Sequence, residues 1–310
     1  MRLLILACTG PVDEPIVEVR DGMVHVPGGV VAVGPSRPPG DLGPPPKGGK
    51  GPPRGKAPGR PGPGGQPDLG APLAPGGPAH SVQEPAQWTS MGGQGIEVRD
   101  VRVDAFWIAQ HEVRRSEYQQ FLEATGYRPP HVEEAWAEDG WNWVGTQPPE
   151  GTEDHPVVLA SWYDAAEYCL WRGLRLPTEA EWQLAALGPK ESASTFPWGD
   201  EYAGDRLNHG KASEPNFDDS DGFWTTAPVG SFPAGASRYG ALDLFGNAWE
   251  FTSTFRLDSW DFDPSGPGLY VAVRGGSYFF DSEEHPSGER NHFLSEVRRK
   301  TSGFRCAQSE

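Results

Sequence analysis

Residues 241–251 read Ala-Leu-Asp-Leu-Phe-Gly-Asn-Ala-Trp-Glu-Phe, which mixes charged and amide side chains with large apolar ones. A plain buried strand would not carry Asp243, Asn247 and Glu250, because unpaired buried charge is costly. Oxygen atoms that converge around one glycine, Gly246, suit a hard cation such as calcium. A tight turn in which Asp243 and Glu250 accept hydrogen bonds from backbone amides explains the same residues. This stretch alone leaves both interpretations open.

Composition narrows the class of protein. A chain of 310 residues has room for one large domain or two small ones. The 41 glycines and 33 prolines argue against a mainly helical protein, and the 12 tryptophans favour a packed, loop-rich one. The formal net charge of -17 argues against a nucleic-acid partner, because binding phosphates requires a basic face.

The first 15 residues predict a signal segment and a tether. Arg2, a short apolar run and Cys8 resemble a bacterial lipoprotein signal that is cleaved before a lipidated cysteine. The apolar run is shorter than the roughly 7–15 residues of a usual export signal, so an upstream start or an accidental apolar terminus also fits. We expect Cys8 to be lipidated. The protein would then be a periplasmic or outer-membrane lipoprotein of the bacterial cell envelope, bound to the membrane through its lipid.

Three further segments follow along the chain. Residues 16–34 alternate as short strands, whereas residues 35–95 are rich in proline and glycine and predict disorder. Residues 96–310 predict an α+β domain with short strands, few helices and long ordered loops. Capping boxes mark three helix starts in it: Ser116 with Gln119, Ser161 with Asp164, and Thr178 with Glu181.

The chain resembles the formylglycine-generating enzyme (sulfatase-modifying factor) family, a variant of the C-type lectin fold. The matching pieces occur in the family's order at residues 22–29, 106–113, 155–162, 175–182, 196–200, 226–230, 246–250, 274–277 and 303–306. The resemblance therefore runs from about residue 20 to the end of the chain. It implies that residues 35–95 are an insertion within one domain.

The resemblance implies two structural calcium ions held by oxygen ligands. The first set comprises Asp243, Gly246, Ala248 and Glu250, with carbonyl oxygens at the middle two positions. The second set comprises Asn208, His209, Asp221 and Phe223, with side-chain oxygens from Asn208 and Asp221. The resemblance also implies a disulfide between Cys169 and Cys306, although two reduced, buried cysteines are an alternative.

The family's catalytic cysteines are missing from this chain. Authentic members bind copper(I) with two cysteines, five residues apart, that follow the Arg-Gly-Gly-Ser motif, and soft thiolates are the ligands that copper(I) selects. By spacing, Phe280 and His285 occupy those positions after Ser277. We therefore expect a degenerate site without copper. His285 and His292 with nearby glutamates could bind another metal, but such exposed clusters are more often solvated surface.

The sequence is compatible with two functions. The first is a non-catalytic, exported lipoprotein that uses the fold to bind a protein partner as a scaffold, with structural calcium. The alternative is a metal- and oxygen-dependent oxidase that modifies a protein or a small molecule. Carbohydrate binding rests on the fold alone. We expect a protein partner at the loops that carry Trp136, Trp141 and Trp143 and at residues 279–292, because exposed aromatic loops commonly anchor interfaces.

Overall fold

The computed structural model describes residues 17–33, 99–138, 140–210, 219–256, 269–279 and 290–310. The predictions for Cys8, for residues 35–95 and for Phe280 and His285 lie outside these ranges. Within them, ten strands are present: β1 (Val19–Arg20), β2 (Met23–Val26), β3 (Gly29–Val33), β4 (Arg99–Val103), β5 (Phe106–Ala109), β6 (Trp249–Arg256), β7 (Tyr270–Arg274), β8 (Arg290–Leu294), β9 (Ser302–Gly303) and β10 (Ala307–Ser309). The same part of the chain forms three α-helices: α1 (Arg115–Thr125), α2 (Trp162–Trp171) and α3 (Glu179–Leu187).

One four-stranded antiparallel sheet joins the two ends of the described chain, in the order β1-β2-β5-β10. Strand β2 lies before residues 35–95, and β5 and β10 lie after them. The strands on both sides of that segment therefore belong to one sheet. Strands β3 and β4 form a separate antiparallel pair.

The second four-stranded sheet has the order β8-β7-β6-β9. Strand β6 pairs antiparallel with β7 and parallel with β9, and β7 pairs antiparallel with β8. The polar stretch at residues 241–251 leads into β6, so this sheet positions the candidate site. No helix of the described ranges is both long and apolar enough to cross a membrane.

The helix starts agree in part with the sequence predictions. The capping boxes of Ser161 with Asp164 and of Thr178 with Glu181 are confirmed. The prediction for α1 was wrong, because the helix begins at Arg115 and the Arg114 amide donates to the Glu117 carboxylate at 2.9 Å. Ser116 lies inside the first turn of α1 and cannot cap it.

Two apolar clusters form most of the described core. One packs α1 and α2 against β6 and β7 and includes Cys169 and Cys306. The other packs α3 against β2 and β5. Helix α3 therefore links the two four-stranded sheets through its buried face, and this places Trp182 beside the start of β6.

Candidate functional site

The stretch at residues 241–251 forms a turn that leads directly into β6. Asp243, Gly246 and Asn247 have positive φ angles of 56°, 83° and 54°. Only glycine fits at position 246, because an added Cβ atom would lie 2.0 Å from the carbonyl oxygen of Asn208. The Asn247 amide donates to that same carbonyl at 3.0 Å. The turn is therefore packed tightly against the loop that contains Asn208.

Glu250 is fully buried and is held by an arginine and a tryptophan. Arg305 donates Nη2 to Oε1 and Nε to Oε2, both at 2.7 Å, and Trp182 donates Nε1 to Oε2 at 2.8 Å. The remaining donors of Arg305 reach the carbonyl oxygens of Ala109, Gln110 and Leu242. Sequence reasoning missed Arg305 as a site residue. Its only sequence signal was its place in the motif at residues 303–306.

A third carboxyl group, that of Glu112, was also missed. It is fully buried and accepts hydrogen bonds from Asn247 Nδ2 at 2.7 Å and from the Ala248 amide at 3.0 Å. Burial raises the pKa of Glu112 well above its ordinary value, and the nearby Asp243 and Glu250 raise it further. The hydrogen bond from Asn247 opposes this shift but does not reverse it. Glu112 therefore resists ionisation.

Asp243 interacts electrostatically with Glu112, Glu250 and Arg305. Burial raises its pKa to about 6, while the Gly230 amide, which donates to Oδ2 at 2.6 Å, and Arg305 act in the opposite direction. Asp243 thus accepts from a backbone amide, as the turn interpretation expected. Glu250 does not, because its oxygens accept from side-chain donors. The carboxyl groups of Glu112, Asp243 and Glu250 therefore lie around the guanidinium group of Arg305.

The second predicted ion site brings its four residues together. Asp221 accepts from the His209 amide at 2.8 Å and from the Phe223 amide at 2.9 Å. Next to His209, the side-chain oxygen Oδ1 of Asn208 is buried and has no hydrogen-bond partner among the described residues. A cavity of about 340 Å³ is lined by Gly204, Asp205, His209, Ser220, Asp221 and Phe232.

No three His, Cys, Asp or Glu side chains in the described part of the chain are arranged to hold a metal ion. A cation at either predicted site would depend on carbonyl and amide oxygens as well. Calcium accepts such ligands. The unpaired oxygen of Asn208 is available as a calcium ligand. The carboxylate of Glu250 already accepts hydrogen bonds from Arg305 and Trp182.

Cys169 in α2 and Cys306 just before β10 form a disulfide, with their Cα atoms 5.6 Å apart. Both residues are buried. The disulfide ties the second helix to the C-terminal strand, across 137 residues of sequence. Neither cysteine therefore offers a thiolate to a metal.

The aromatic loop that precedes α2 lies beside Tyr278. Trp141 stacks on Tyr278 with ring centres 6.3 Å apart, and the Lys300 ammonium group lies 5.5 Å from Trp136 and 5.7 Å from Trp141. Trp136 is 39% exposed. Trp143 is buried and packs edge-on against Tyr118 of α1, so its ring belongs to the core. The prediction of a partner at this loop therefore concerns Trp136 and Trp141, and it stays a prediction.

Comparisons with known proteins identify the family to which the chain belongs. Residues 69–310 match the family model described as "Sulfatase-modifying factor enzyme 1-like domain". The formylglycine-generating enzyme of Bos taurus is 30% identical over 289 residues, which cover 75% of each chain. The inactive C-alpha-formylglycine-generating enzyme 2 of Mus musculus is 37% identical over 164 residues, which cover 50% of this chain and 49% of that relative.

Among solved structures, PvdO from Pseudomonas aeruginosa matches with a TM-score of 0.59 and 23% identity, over 93% of this chain and 94% of that one. At this identity the likeness shows the fold alone. The chain belongs to the sulfatase-modifying factor family. The predicted formylglycine-generating-enzyme-type fold, with short strands and few helices, is confirmed.

Proposed function

We propose that this chain is a non-catalytic member of the family that binds a protein partner as a scaffold of the bacterial cell envelope. The observation that carries the proposal is the disulfide between Cys169 and Cys306. The sequence contains three cysteines in all, so the disulfide leaves only Cys8. Copper(I) bound by two thiolates needs a pair of free cysteines, and this chain has no such pair.

The position of the missing pair supports the same proposal. By resemblance to the family, Phe280 and His285 stand where the two thiols would be. A phenyl ring offers no ligand atom to copper, and one imidazole alone does not form a bis-thiolate site. A relative whose printed name calls it inactive is similar to half of this chain. The fold is therefore compatible with a loss of catalytic activity.

The partner-binding surface that we propose consists of Trp136, Trp141 and Lys300, and we call it the Trp136 surface. Aromatic side chains that remain accessible beside a cation are typical anchors of protein interfaces. Lys300 lies close to both rings, so the surface presents positive charge on an acidic protein. A partner with an acidic segment fits this surface best.

The proposal predicts no oxygen chemistry. We expect purified protein, supplied with copper(I) or iron(II), a reductant and a thiol-containing peptide, to consume no oxygen above the rate of the free metal. As a matched control, Phe280→Cys combined with His285→Cys should bind copper(I) and the parent chain should not, because only the variant has two thiolates at these positions. Metal-dependent oxygen uptake by the parent chain, measured with an oxygen electrode, would favour the oxidase alternative.

We further propose that the loops at Asn208 and Asp221 hold a structural calcium ion. The buried, unpaired oxygen of Asn208 supports this site. A cation there would fix two loops that lie outside the sheets. The site at Asp243 and Glu250 remains a second proposal with weaker support, since Arg305 already neutralises Glu250.

Calcium is expected to raise the melting temperature of protein that has been treated with a chelator. A ligand that binds only the folded state adds about 2.7 kcal/mol at a concentration one hundred times its dissociation constant. Asp221→Asn should abolish this stabilisation, and Asp243→Asn should leave most of it. Differential scanning fluorimetry with and without calcium tests both variants. If Asp243→Asn abolishes the stabilisation and Asp221→Asn leaves it, the ion belongs to the Asp243 site. If calcium does not change the melting temperature of the parent chain, both calcium proposals are contradicted.

Attachment through Cys8 is part of the same proposal. The disulfide supports an oxidising compartment outside the cytosol, where such bonds persist. In a bacterial host, Cys8→Ser is expected to move the protein from the membrane fraction to the soluble fraction. Unchanged fractionation would argue against the lipid anchor.

A further inference from the structure

Glu179, the first residue of α3, is a buried carboxylate that two arginines share. Arg274 donates Nη1 to Oε1 at 3.3 Å, and Arg290 donates Nη2 to Oε2 over a short hydrogen bond. The side chains of Glu179 and Arg274 are each 1% exposed, and that of Arg290 is 6% exposed. Among the described residues, these two buried cations therefore share one anion, which leaves an excess of one positive charge there.

Three donor atoms of these guanidinium groups have no partner in the part of the chain that the structure describes. They are Nε of Arg274 and Nε and Nη1 of Arg290, and all three are buried. Gln183 accepts from Nη2 of Arg274 at 3.2 Å, but this amide carries no charge. Buried donors in native proteins are nearly always paired, so each unpaired one calls for an unseen water or ion.

The strand register explains why the two arginines meet. Arg274 of β7 and Arg290 of β8 are directly opposite each other in the antiparallel pair, so their side chains project from the same face. Like charges in that position repel. The Trp182 ring lies 5.4 Å from the Arg274 guanidinium and covers one side of it. Burial and, to a lesser extent, Arg290 lower the pKa of Arg274 to about 10, although Glu179 acts in the opposite direction.

We propose that Arg274 and Arg290, oriented by Glu179, form a binding site for a tetrahedral oxyanion, either sulfate or phosphate. Unpaired donors on two guanidinium groups match an anion that offers several oxygen atoms. A bound anion would offset the positive charge of these two groups. It would accept from Nε of Arg274 and from one free donor of Arg290, since Nε and Nη1 of one guanidinium group point to different sides. The anion is free in solution or is a group on a larger ligand. This site does not depend on the partner-binding proposal.

The test uses the full-length protein in EDTA-containing buffer, with inorganic phosphate and sulfate as probes and chloride at equal ionic strength as the reference. Isothermal titration calorimetry is expected to give saturable binding with one ion per chain. Arg290→Gln should weaken that binding by at least about tenfold, because it removes a charge-assisted donor together with its positive charge. Arg128→Gln, at an exposed arginine that pairs with Asp164, is the matched control and should not change it.

A second measurement separates a binding defect from a folding defect. Without the anion, Arg290→Gln should melt at or above the temperature of the parent chain, because it removes an incompletely paired buried cation. With phosphate, only the parent chain and Arg128→Gln should gain stability. Phenyl phosphate distinguishes a free anion from an anionic group on a larger ligand. Binding of phenyl phosphate indicates a group on a larger ligand. If inorganic phosphate binds and phenyl phosphate does not, the site takes a free ion. Equal responses of the parent chain and Arg290→Gln would overturn the proposal.

Discussion

Replacing both Cys169 and Cys306 with alanine is expected to lower the free energy of unfolding by about 3–5 kcal/mol. The bond joins residues 137 positions apart, and the entropy of the unfolded chain falls more when a longer loop is closed. Both cysteines also lie in the core cluster that packs α1 and α2 against β6. Urea unfolding of the oxidised parent chain and of the double variant, followed by tryptophan fluorescence, measures the difference.

The control for this experiment is Cys8→Ser. Cys8 takes no part in the disulfide, so its replacement should leave the unfolding curve unchanged. Reduction of the parent chain with dithiothreitol should reproduce the loss seen in the double variant. A double variant as stable as the parent chain would contradict this prediction, because it would show that the bond contributes nothing to the stability of the folded state.

Features that depend on neighbouring residues were predictable from the sequence. The capping boxes of α2 and α3 need only four consecutive residues, and both have the predicted partners. The same rule failed at α1, where Ser116 and Gln119 match the pattern but the helix starts after Arg114, whose side chain has no oxygen to cap it. The bridge between Arg114 and Pro156 decides the start of that helix, and this contact is not visible in a local pattern.

Features that depend on distant residues were not predictable in this way. Glu112 reaches Asn247 across 135 residues, and Arg305 reaches Glu250 across 55. A pattern of residue types shows that Glu250 needs a partner, but it does not show whether that partner is a metal ion or an arginine. The family resemblance suggested an ion, and the structure adds a guanidinium group at the same carboxylate.

The buried pair of Arg305 and Glu250 leads to the second large effect. Arg305→Met is expected to lower the free energy of unfolding by about 3–5 kcal/mol, because it leaves a buried carboxylate without its cation. Arg305 also lowers the pKa of Glu112 and of Asp243, so the loss of the guanidinium raises the pKa of both carboxyl groups further. Urea unfolding at pH 7 in the presence of a chelator measures this effect.

The double variant Arg305→Met with Glu250→Gln separates charge from packing. It removes both charges and keeps the side-chain volumes similar, so we expect it to recover most of the stability lost in the single variant. If both variants are equally unstable, the bonds from Arg305 to the carbonyl oxygens of Ala109, Gln110 and Leu242 dominate instead. Calcium adds a further distinction, because an ion bound at Asp243 and Glu250 would substitute for the missing guanidinium. Calcium rescue of Arg305→Met that persists when Asp221→Asn is added would place an ion beside Glu250. Calcium rescue that Asp221→Asn abolishes would place the ion at the second site.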